Sequence, residues 1–286
     1  AQKIAAFDNV AQVAAGYLFS GAIREDGTVW TWGSNSNSKL GHSSSSVNVP
    51  TQVGSIYDAI QISLGYHHAL VLRGDGTVWS WGRNVEGQLG DGTFTGRSTA
   101  VQVTGLSDIV WIEAGEYHSL ALDKDGVLYA WGRNTYGRLG DGTTDNSNVP
   151  IAITPAIWNG HAIHAMAGGG EHSLGIIDYM GAPVFFSWGR NNYGQLGLGD
   201  GSASTAATPI LITMPLDSDS DGLYDYEEFL HGFDPLNADT TGTGFGDYVA
   251  HQLGLPPGNP VEQIDPNDTS PPVFELLEPA DASLLP

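Results

Sequence analysis

Apolar and polar residues alternate in short runs along most of this chain, and the runs recur in the same order four times. In residues 118–122, His-Ser-Leu-Ala-Leu, the side chains of Leu120 and Leu122 share one face. In residues 127–131 the aromatic pair Tyr129 and Trp131 does the same. A period of two over five residues predicts half-buried strands. Asp125-Gly126 between the two runs predicts a two-residue type I′ hairpin, because Asp-Gly supplies the positive φ values such a turn needs. The run Ile109 to Ala114 predicts a preceding inner strand. A Gly-rich loop from Asn134 to Gly142 leads to an outer strand near Val149-Pro150. Each repeat therefore predicts about four short strands and no helix.

The copies align without gaps at their key positions. Gly65–His68, Gly115–His118 and Gly169–His172 share a Gly-x-x-His pattern, and Gly16–Phe19 is the divergent first copy. The spaced pair Tyr129/Trp131 has counterparts in Trp30/Trp32, Trp79/Trp81 and Phe186/Trp188. Trp-Gly recurs at 32, 81, 131 and 188, at intervals of 49, 50 and 57 residues. The last interval is longer because the fourth copy carries extra residues near His161 and from Asp178 to Pro183. An all-strand period of about 50 residues predicts an array of propeller blades, with the four Trp at equivalent buried positions.

The phrase G-x-x-H-S/A-L, then D-G-x-V, then W-G-x-N-x-x-G-Q-L-G-D-G-T resembles the repeat of the regulator of chromosome condensation family. It covers residues 1–213. The resemblance implies a mainly β fold built of propeller blades, four here of a usual seven. Four blades leave an open arc whose edges invite another chain. The first copy departs from the pattern: Phe19 stands for the His, Ser34 for the Arg of W-G-R-N, and His42-Ser43 for Asp-Gly. Terminal repeats are often atypical, so Ala1 is expected near a true start, or else three blades precede it. The family includes exchange factors for a small GTPase, and a secreted bacterial β-lactamase inhibitor resembles the same fold.

Charge separates the chain into two parts. All ten Lys and Arg lie at or before Arg190, which leaves residues 1–213 at −7 and residues 214–286 at −15. Such an acidic surface repels phosphate backbones, which argues against nucleic acid and calls for a cationic partner. Cysteine is absent, which excludes disulfides, thiol nucleophiles and thiolate metal sites. No run of 18 apolar residues offers a membrane span.

Within the repeats the residues that suggest chemistry have plainer roles. His68, His118 and His172 occur once per copy, so they spread around an axis and are expected to bond between strands or blades rather than meet at a metal. The Trp and Tyr pairs read as apolar filling between blades. The Leu-Gly-Asp-Gly-Thr loops at 89–93 and 139–143 lack the Lys and the helix of a phosphate cradle. No nucleophile–base signature is present, and the expectation is a protein that is not an enzyme.

Residues 217–228 read D-S-D-S-D-G-L-Y-D-Y-E-E. On a twelve-residue calcium loop, Asp217, Asp219 and Asp221 take positions 1, 3 and 5, and Gly222 takes the turn at 6. Leu223 offers its carbonyl at 7, Asp225 stands at 9, and Glu228 supplies the bidentate ligand at 12. Tyr226 to Leu230 predicts a short helix leaving the loop. A second loop from Asp239 to Asp247 lacks two of the carboxylates and has Ala250 at position 12, so it is expected to bind weakly or not at all. A second short helix follows from Tyr248 to Leu253. The pattern, with the following D-P-L-N-A-D-T, resembles the thrombospondin type-3-like calcium repeats of large secreted bacterial proteins. A dockerin-like module is the neighbouring resemblance. The expected organisation is blades over 1–213, a calcium module over 214–256, and a linker entering a truncated immunoglobulin-like domain over 257–286. These features point to an extracellular or cell-surface fragment of a multidomain protein, a non-enzymatic scaffold binding a protein or surface glycan through its blade loops. Exchange of nucleotide on a small GTPase and inhibition of an enzyme are the alternatives the family implies.

Overall fold

The structure, a computed structural model, describes residues 7–42, 45–158, 160–198, 205–212, 217–240, 242, 246–252, 254 and 257. Sixteen strands form four separate antiparallel sheets of four strands, each ordered along the chain. The first blade is β1 (Val10–Gly16), β2 (Phe19–Arg24), β3 (Val29–Gly33) and β4 (Val47–Gln52). The second is β5 (Ala59–Leu64), β6 (His68–Arg73), β7 (Val78–Gly82) and β8 (Arg97–Gln102). The third is β9 (Ile109–Ala114), β10 (His118–Asp123), β11 (Leu128–Gly132) and β12 (Ser147–Ile153). The fourth is β13 (Ile163–Gly168), β14 (His172–Tyr179), β15 (Ala182–Arg190) and β16 (Thr205–Leu211).

The core lies between blades. One cluster joins Leu40 and Val53 of the first blade to Ile62, Val71 and Trp81 of the second. A second joins Leu70 and Leu72 to Ile109, Ile112 and Trp131. A third joins Leu120, Leu122 and Leu139 to Ile163, Phe186 and Trp188. Alternation along the strands thus feeds two interfaces at once, one from each face of the blade. Inner strands meet in the order β1–β5, β5–β9 and β9–β13, and among the described residues no comparable contact brings β13 back to β1. The arc is open. Trp81, Trp131 and Trp188 are fully buried as the repeat predicts, whereas Trp32 is only half-buried because no blade precedes it in the described residues.

The hairpins differ from the expected type I′ turn. Only the glycines have positive φ (Gly27 +73°, Gly76 +77°, Gly126 +78°), and each donates its N–H back across three residues, as Gly27 does to the Arg24 carbonyl at 2.9 Å. This is the three-residue loop in which a type I turn ends on a left-handed Gly. The Asp keeps an ordinary φ, and in the first two blades it uses its carboxylate: Asp26 Oδ1 accepts from the N–H (3.0 Å) and hydroxyl (2.6 Å) of Thr28, and Asp75 does the same for Thr77. A true type I′ turn occurs in the fourth blade, where Met180 (+53°) and Gly181 (+96°) join the paired residues Tyr179 and Ala182.

Two short helices follow the blades, α1 (Asp225–His231) and α2 (Asp247–Gln252). Helix α1 has three carboxylates in its first turn, where the dipole favours them, and ends on Gly232 at φ +82°. A small core of Leu223, Phe233 and Ala250 holds the two together. No helix among the described residues is long and apolar enough to cross a membrane. The expected immunoglobulin-like start and most of the linker lie outside the described residues.

Candidate functional site

Antiparallel register gathers one end of the blades into a single surface. His68 pairs with Gly82, His118 with Gly132 and His172 with Gly189. The residue before each His therefore lies beside the residue after each Trp-Gly. Accordingly, Arg83 N–H donates to the His67 carbonyl, Arg133 to Tyr117 and Arg190 to Glu171, all at 2.9 Å. Around the axis the Gly-x-x-His corners are stitched by Tyr17 N–H to Gly65, Tyr66 N–H to Glu116 and Glu116 N–H to Gly169, each 3.3 Å. They enclose an open depression of about 390 Å³ lined by Tyr17, Tyr66, Glu116 and the glycines.

Aromatic and guanidinium groups alternate on this surface. Tyr17 and Tyr66 stack at 3.9 Å and 10°, and Tyr117 follows at 5.6 Å. Contact with the Tyr17 hydroxyl, together with burial and nearby Glu116, pushes the Tyr66 phenol up to about 12. Arg83 and Arg133 lie over the Tyr117 ring at 5.5 and 5.6 Å, and Arg190 lies over Tyr136 at 5.0 Å and Tyr193 at 5.5 Å. Arg83 is held bidentately by Glu86 (3.1 and 2.8 Å), and Glu171 bridges Arg138 and Arg190. Lys39 Nζ donates to the Tyr17 carbonyl at 2.6 Å. Five of the chain's ten cations, Lys39, Arg83, Arg133, Arg138 and Arg190, thus converge on one end of a strongly acidic protein. Burial, then repulsion from Glu171, raises the Glu116 carboxyl above its usual range. Tyr, Arg and a few charges held in place by neighbours is the composition of a protein-binding surface.

Two of the three histidines, His68 and His118, sit beneath this surface and bond between blades as expected. His68 Nε2 lies 3.0 Å from Ser119 Oγ on the next blade, and Ser119 Oγ donates to the Gln88 carbonyl at 2.8 Å. The hydroxyl has one proton, so the imidazole must donate, which leaves its unprotonated Nδ1 buried without a partner. His118 repeats the arrangement with Ser173 and the Arg138 carbonyl. The Gly-rich loops are braced rather than open to phosphate: Asn84 Nδ2 donates to Asp91 and Thr93, and Asn84 Oδ1 accepts from Leu89 N–H.

The acidic loop brings Asp217, Asp219 and Asp221 together, with one oxygen from each within 4.8 Å of the others. Backbone donors shape it: Asp217 accepts from Ser220 (2.7 Å) and Gly222 (3.1 Å), Asp219 from Asp221 (3.2 Å), and Asp221 from Leu223 (2.8 Å). Glu228 is fully buried, and neither of its carboxylate oxygens has a hydrogen-bond partner; Asp219 Oδ2 is buried unpartnered as well. Burial, reinforced by Asp219, Asp221, Asp225 and Asp247, pushes the Glu228 carboxyl up to about 8. Asp225 is placed differently from the other four. Its oxygens accept from the N–H and hydroxyl of Ser218, both at 2.8 Å, so it braces the loop. The Leu223 side chain is buried between the helices.

The second loop contributes two features that spacing alone did not reveal. Asp247 accepts from Thr240 N–H (2.8 Å) and from its hydroxyl, repeating the Ser218–Asp225 brace. Tyr248 N–H donates to Asp221 at 3.0 Å and so ties α2 to the first loop. The seven-residue spacing common to Ser218/Asp225 and Thr240/Asp247 was the available signal. Thr241, Thr243, Gly244 and Phe245 of that loop lie outside the described residues.

The model of the regulator of chromosome condensation (RCC1) repeat matches residues 26–72, 75–122, 125–176 and 185–219, well over half of the chain. A second model of the repeat matches 10–38, 59–88 and 109–138. The chain belongs to the RCC1 repeat family. No curated protein matches it. Among solved structures it is similar to human WBSCR16 (25% identity, TM-score 0.63, covering 72% of this chain and 54% of that one). It is similar to Prp20p from Saccharomyces cerevisiae (24%, TM-score 0.67, 76% and 54%) and to yeast RCC1 (Prp20) bound to Kap60 (23%, TM-score 0.66, 76% and 52%). The chain spans about half the length of these proteins.

Proposed function

We propose that this RCC1-repeat chain is a non-enzymatic, extracellular recognition scaffold whose Tyr–Arg end binds a protein or surface glycan, and whose C-terminal module is organised by calcium. The observation that carries the recognition reading is the row Tyr17–Tyr66–Tyr117 flanked by Arg83 and Arg133. Rigid aromatics lose little entropy on contact, and guanidinium groups already fixed on rings or carboxylates need little further ordering. The likeness to Prp20p, studied for its binding to Gsp1p and histones, supports a binding role for the fold without naming the partner.

The calcium half rests on Glu228. A buried carboxylate with two unpartnered oxygens beside four further acids is costly unless a cation joins it. The donor set is all oxygen, which suits a hard ion. Asp217, Asp219, Asp221 and Glu228 would hold it by side chains and Leu223 by its carbonyl. Asp225, engaged by Ser218, would reach it through water, as that loop position often does. The ion would supply the charge that lets the loop close.

Calcium titration calorimetry on the full chain after chelation tests the metal reading. Affinity in the range of about 10⁻⁴ to 10⁻³ M suits an extracellular module, with none in Glu228→Gln. Silence at several millimolar calcium rejects it. For recognition, secreted proteins and surface glycans are screened in parallel against the wild type and a Tyr66→Ala/Tyr117→Ala variant. A partner retained equally by both rules out this end.

A further inference from the structure

At two of the three joints between blades, six residues connect the outer strand to the next inner strand: 53–58 and 103–108. At the third joint the connection is nine residues long, 154–162. The short connections close directly on the neighbouring hairpin. Asp58 and Asp108, both at left-handed φ, lie against Gly27 and Gly76, and Ile56 and Leu106 are buried beneath them. At the third joint Ala162 takes the place beside Gly126. Trp158 lies beneath, its ring edge-on to Phe186 and Trp188. Between Trp158, the Asp125–Val127 hairpin and residues 153–156 a cavity of about 280 Å³ remains. It belongs to an internal joint, at the end of the blades opposite the Tyr–Arg surface.

The polar groups of this cavity specify what it can take. Trp158 is 4% exposed, and its indole N–H is buried with no hydrogen-bond partner among the described residues. Six of the other seven indoles do donate. Trp81, Trp131 and Trp188 reach carbonyls of the preceding blade at 2.9–3.0 Å, and Trp30, Trp79 and Trp111 reach neighbouring side chains. An indole nitrogen can only donate, so the floor of the cavity calls for an acceptor. Asp125 stands exposed at the rim, while Lys124 beside it pairs with Asp108 at 3.5 Å. An ionised carboxylate can only accept, so the rim calls for a donor. Thr154 and His161 can act in either sense, and Val127 and Pro155 add apolar wall.

We infer that this cavity binds one sugar ring, a ligand oxygen accepting from Trp158 and a hydroxyl or amine donating to Asp125. A pyranose carries donors and acceptors around a compact frame, and its C–H faces suit Pro155 and Val127. A hydrocarbon would leave the buried indole N–H unpaired. An anion would face Asp125 and the acidic module beyond His161, which packs edge-on against Phe229. Size sets the upper limit: the cavity falls just below the range of about 300–1,000 Å³ that holds drug-sized ligands, so one ring enters and any attached chain stays outside. An amino sugar, cationic at its amine, gains further from Asp125. The site stands apart from the Tyr–Arg end, and neither reading depends on the other.

Glucosamine, glucose and the glucosamine trisaccharide, titrated into the full chain in calcium, test this through the indole ¹⁵N–¹H resonances. The Trp158 signal, identified by its loss in Trp158→Phe, should move and saturate at about millimolar sugar while the other indoles stay fixed. Glucosamine should bind more tightly than glucose. Binding of the trisaccharide assigns the site to a chain end, and binding of the monosaccharides alone assigns it to free sugar. Asp125→Asn, at an exposed side chain, should weaken glucosamine about tenfold or more and erase its advantage over glucose. A Tyr66→Ala/Tyr117→Ala variant should bind all three as the wild type does. The inference is overturned if the Trp158 signal stays still at about 100 mM sugar, far above the affinity expected. Equal movement with glycerol, an adventitious additive only, overturns it too, as does unchanged affinity in Asp125→Asn.

Discussion

The ring of Phe229 stands edge-on to that of Tyr179, with centroids 5.1 Å apart and planes at 86°. Phe229 lies on α1, immediately after the buried Glu228, and its other neighbours are Phe186 (6.0 Å) and His161 (6.1 Å). The acidic module is therefore docked on the fourth blade. Its seat is made by the residues that lengthen that repeat: β14 and β15 run two and four residues longer than the matching strands of the third blade, β10 and β11. Phe229→Ala should remove a contact worth about 3–5 kcal/mol. Hydrogen exchange in α1 and at Tyr179–Ala182 should accelerate at least tenfold, while β5–β8 are unchanged. Unaltered exchange at the hairpin would mean that the module does not rest there.

That docking changes what chelation should do. With three inter-blade cores of their own, the blades by themselves have no need of a metal. In the structure Glu228 and Phe229 share one short helix, so on the calcium reading loss of the cation would release the aromatic plug along with the proposed ligand. With excess chelator, protection should fall in α1, α2 and the Tyr179–Ala182 turn and persist in the first three blades. Glu228→Gln should show this pattern even in calcium. A chelator effect confined to residues 217–252 would separate the module from the blades.

The blades were legible because their determinants are local. Alternation, turn glycines and the Trp-Gly phrase each lie within about ten residues, and their fourfold recurrence supplied the check. The joints were not legible, because each is a contact across about 50 residues. Nothing in the Trp131 segment announces that its indole seeks the Gln88 carbonyl, or that Ser119 relays His68 to that same atom. The Tyr–Arg end escaped for the same reason: Arg83 and Tyr117 are distant in sequence, lie on different blades, and meet only where those blades pack. In the acidic loop, spacing identified which carboxylates cluster, but only the fold shows Asp225 occupied by Ser218 and Glu228 left without a partner.

Two glycines of the second blade separate packing from backbone strain. Gly90 has φ +66°, and an added Cβ would lie 2.8 Å from both Trp131 Nε1 and Val103 Cγ1. Gly92 has φ +79° with nothing within 4 Å. Gly92→Ala should cost the left-handed penalty alone, about 1–2 kcal/mol. Gly90→Ala adds displacement of a buried indole, for a total of about 2–5 kcal/mol. Urea denaturation of the two variants measures the difference. Equal losses would show that the ring yields freely and that the joint is softer than its geometry implies.

Acid should loosen the joints before it titrates most carboxylates. His68 is fully buried, and its relay to Ser119 uses the only ring proton, so protonating Nδ1 places an unpaired charge in the core. Burial accordingly lowers the His68 imidazole from 6.5 to about 4, and burial with nearby Arg138 holds His118 well below its usual range. A folded-state value below the unfolded one means stability is complete above pH 6.5 and is lost as pH falls through about 4. For His68 alone the loss approaches about 3 kcal/mol at the acid end. Carboxylates that are stabilised in the fold add to the loss mainly below about pH 4.5, whereas the Glu228 carboxyl, raised to about 8, works in the opposite sense above that; it is common to wild type and a histidine variant, so the difference between the two over 6.5 to 4.5 reports the histidines. The first repeat shows which side chain can replace them, since Phe19 fills the same motif position at 3% exposure. The urea midpoint of a His68→Phe/His118→Phe variant should gain steadily on that of the wild type as pH falls across that interval. Parallel pH curves in the two proteins would assign the acid sensitivity to groups other than these histidines.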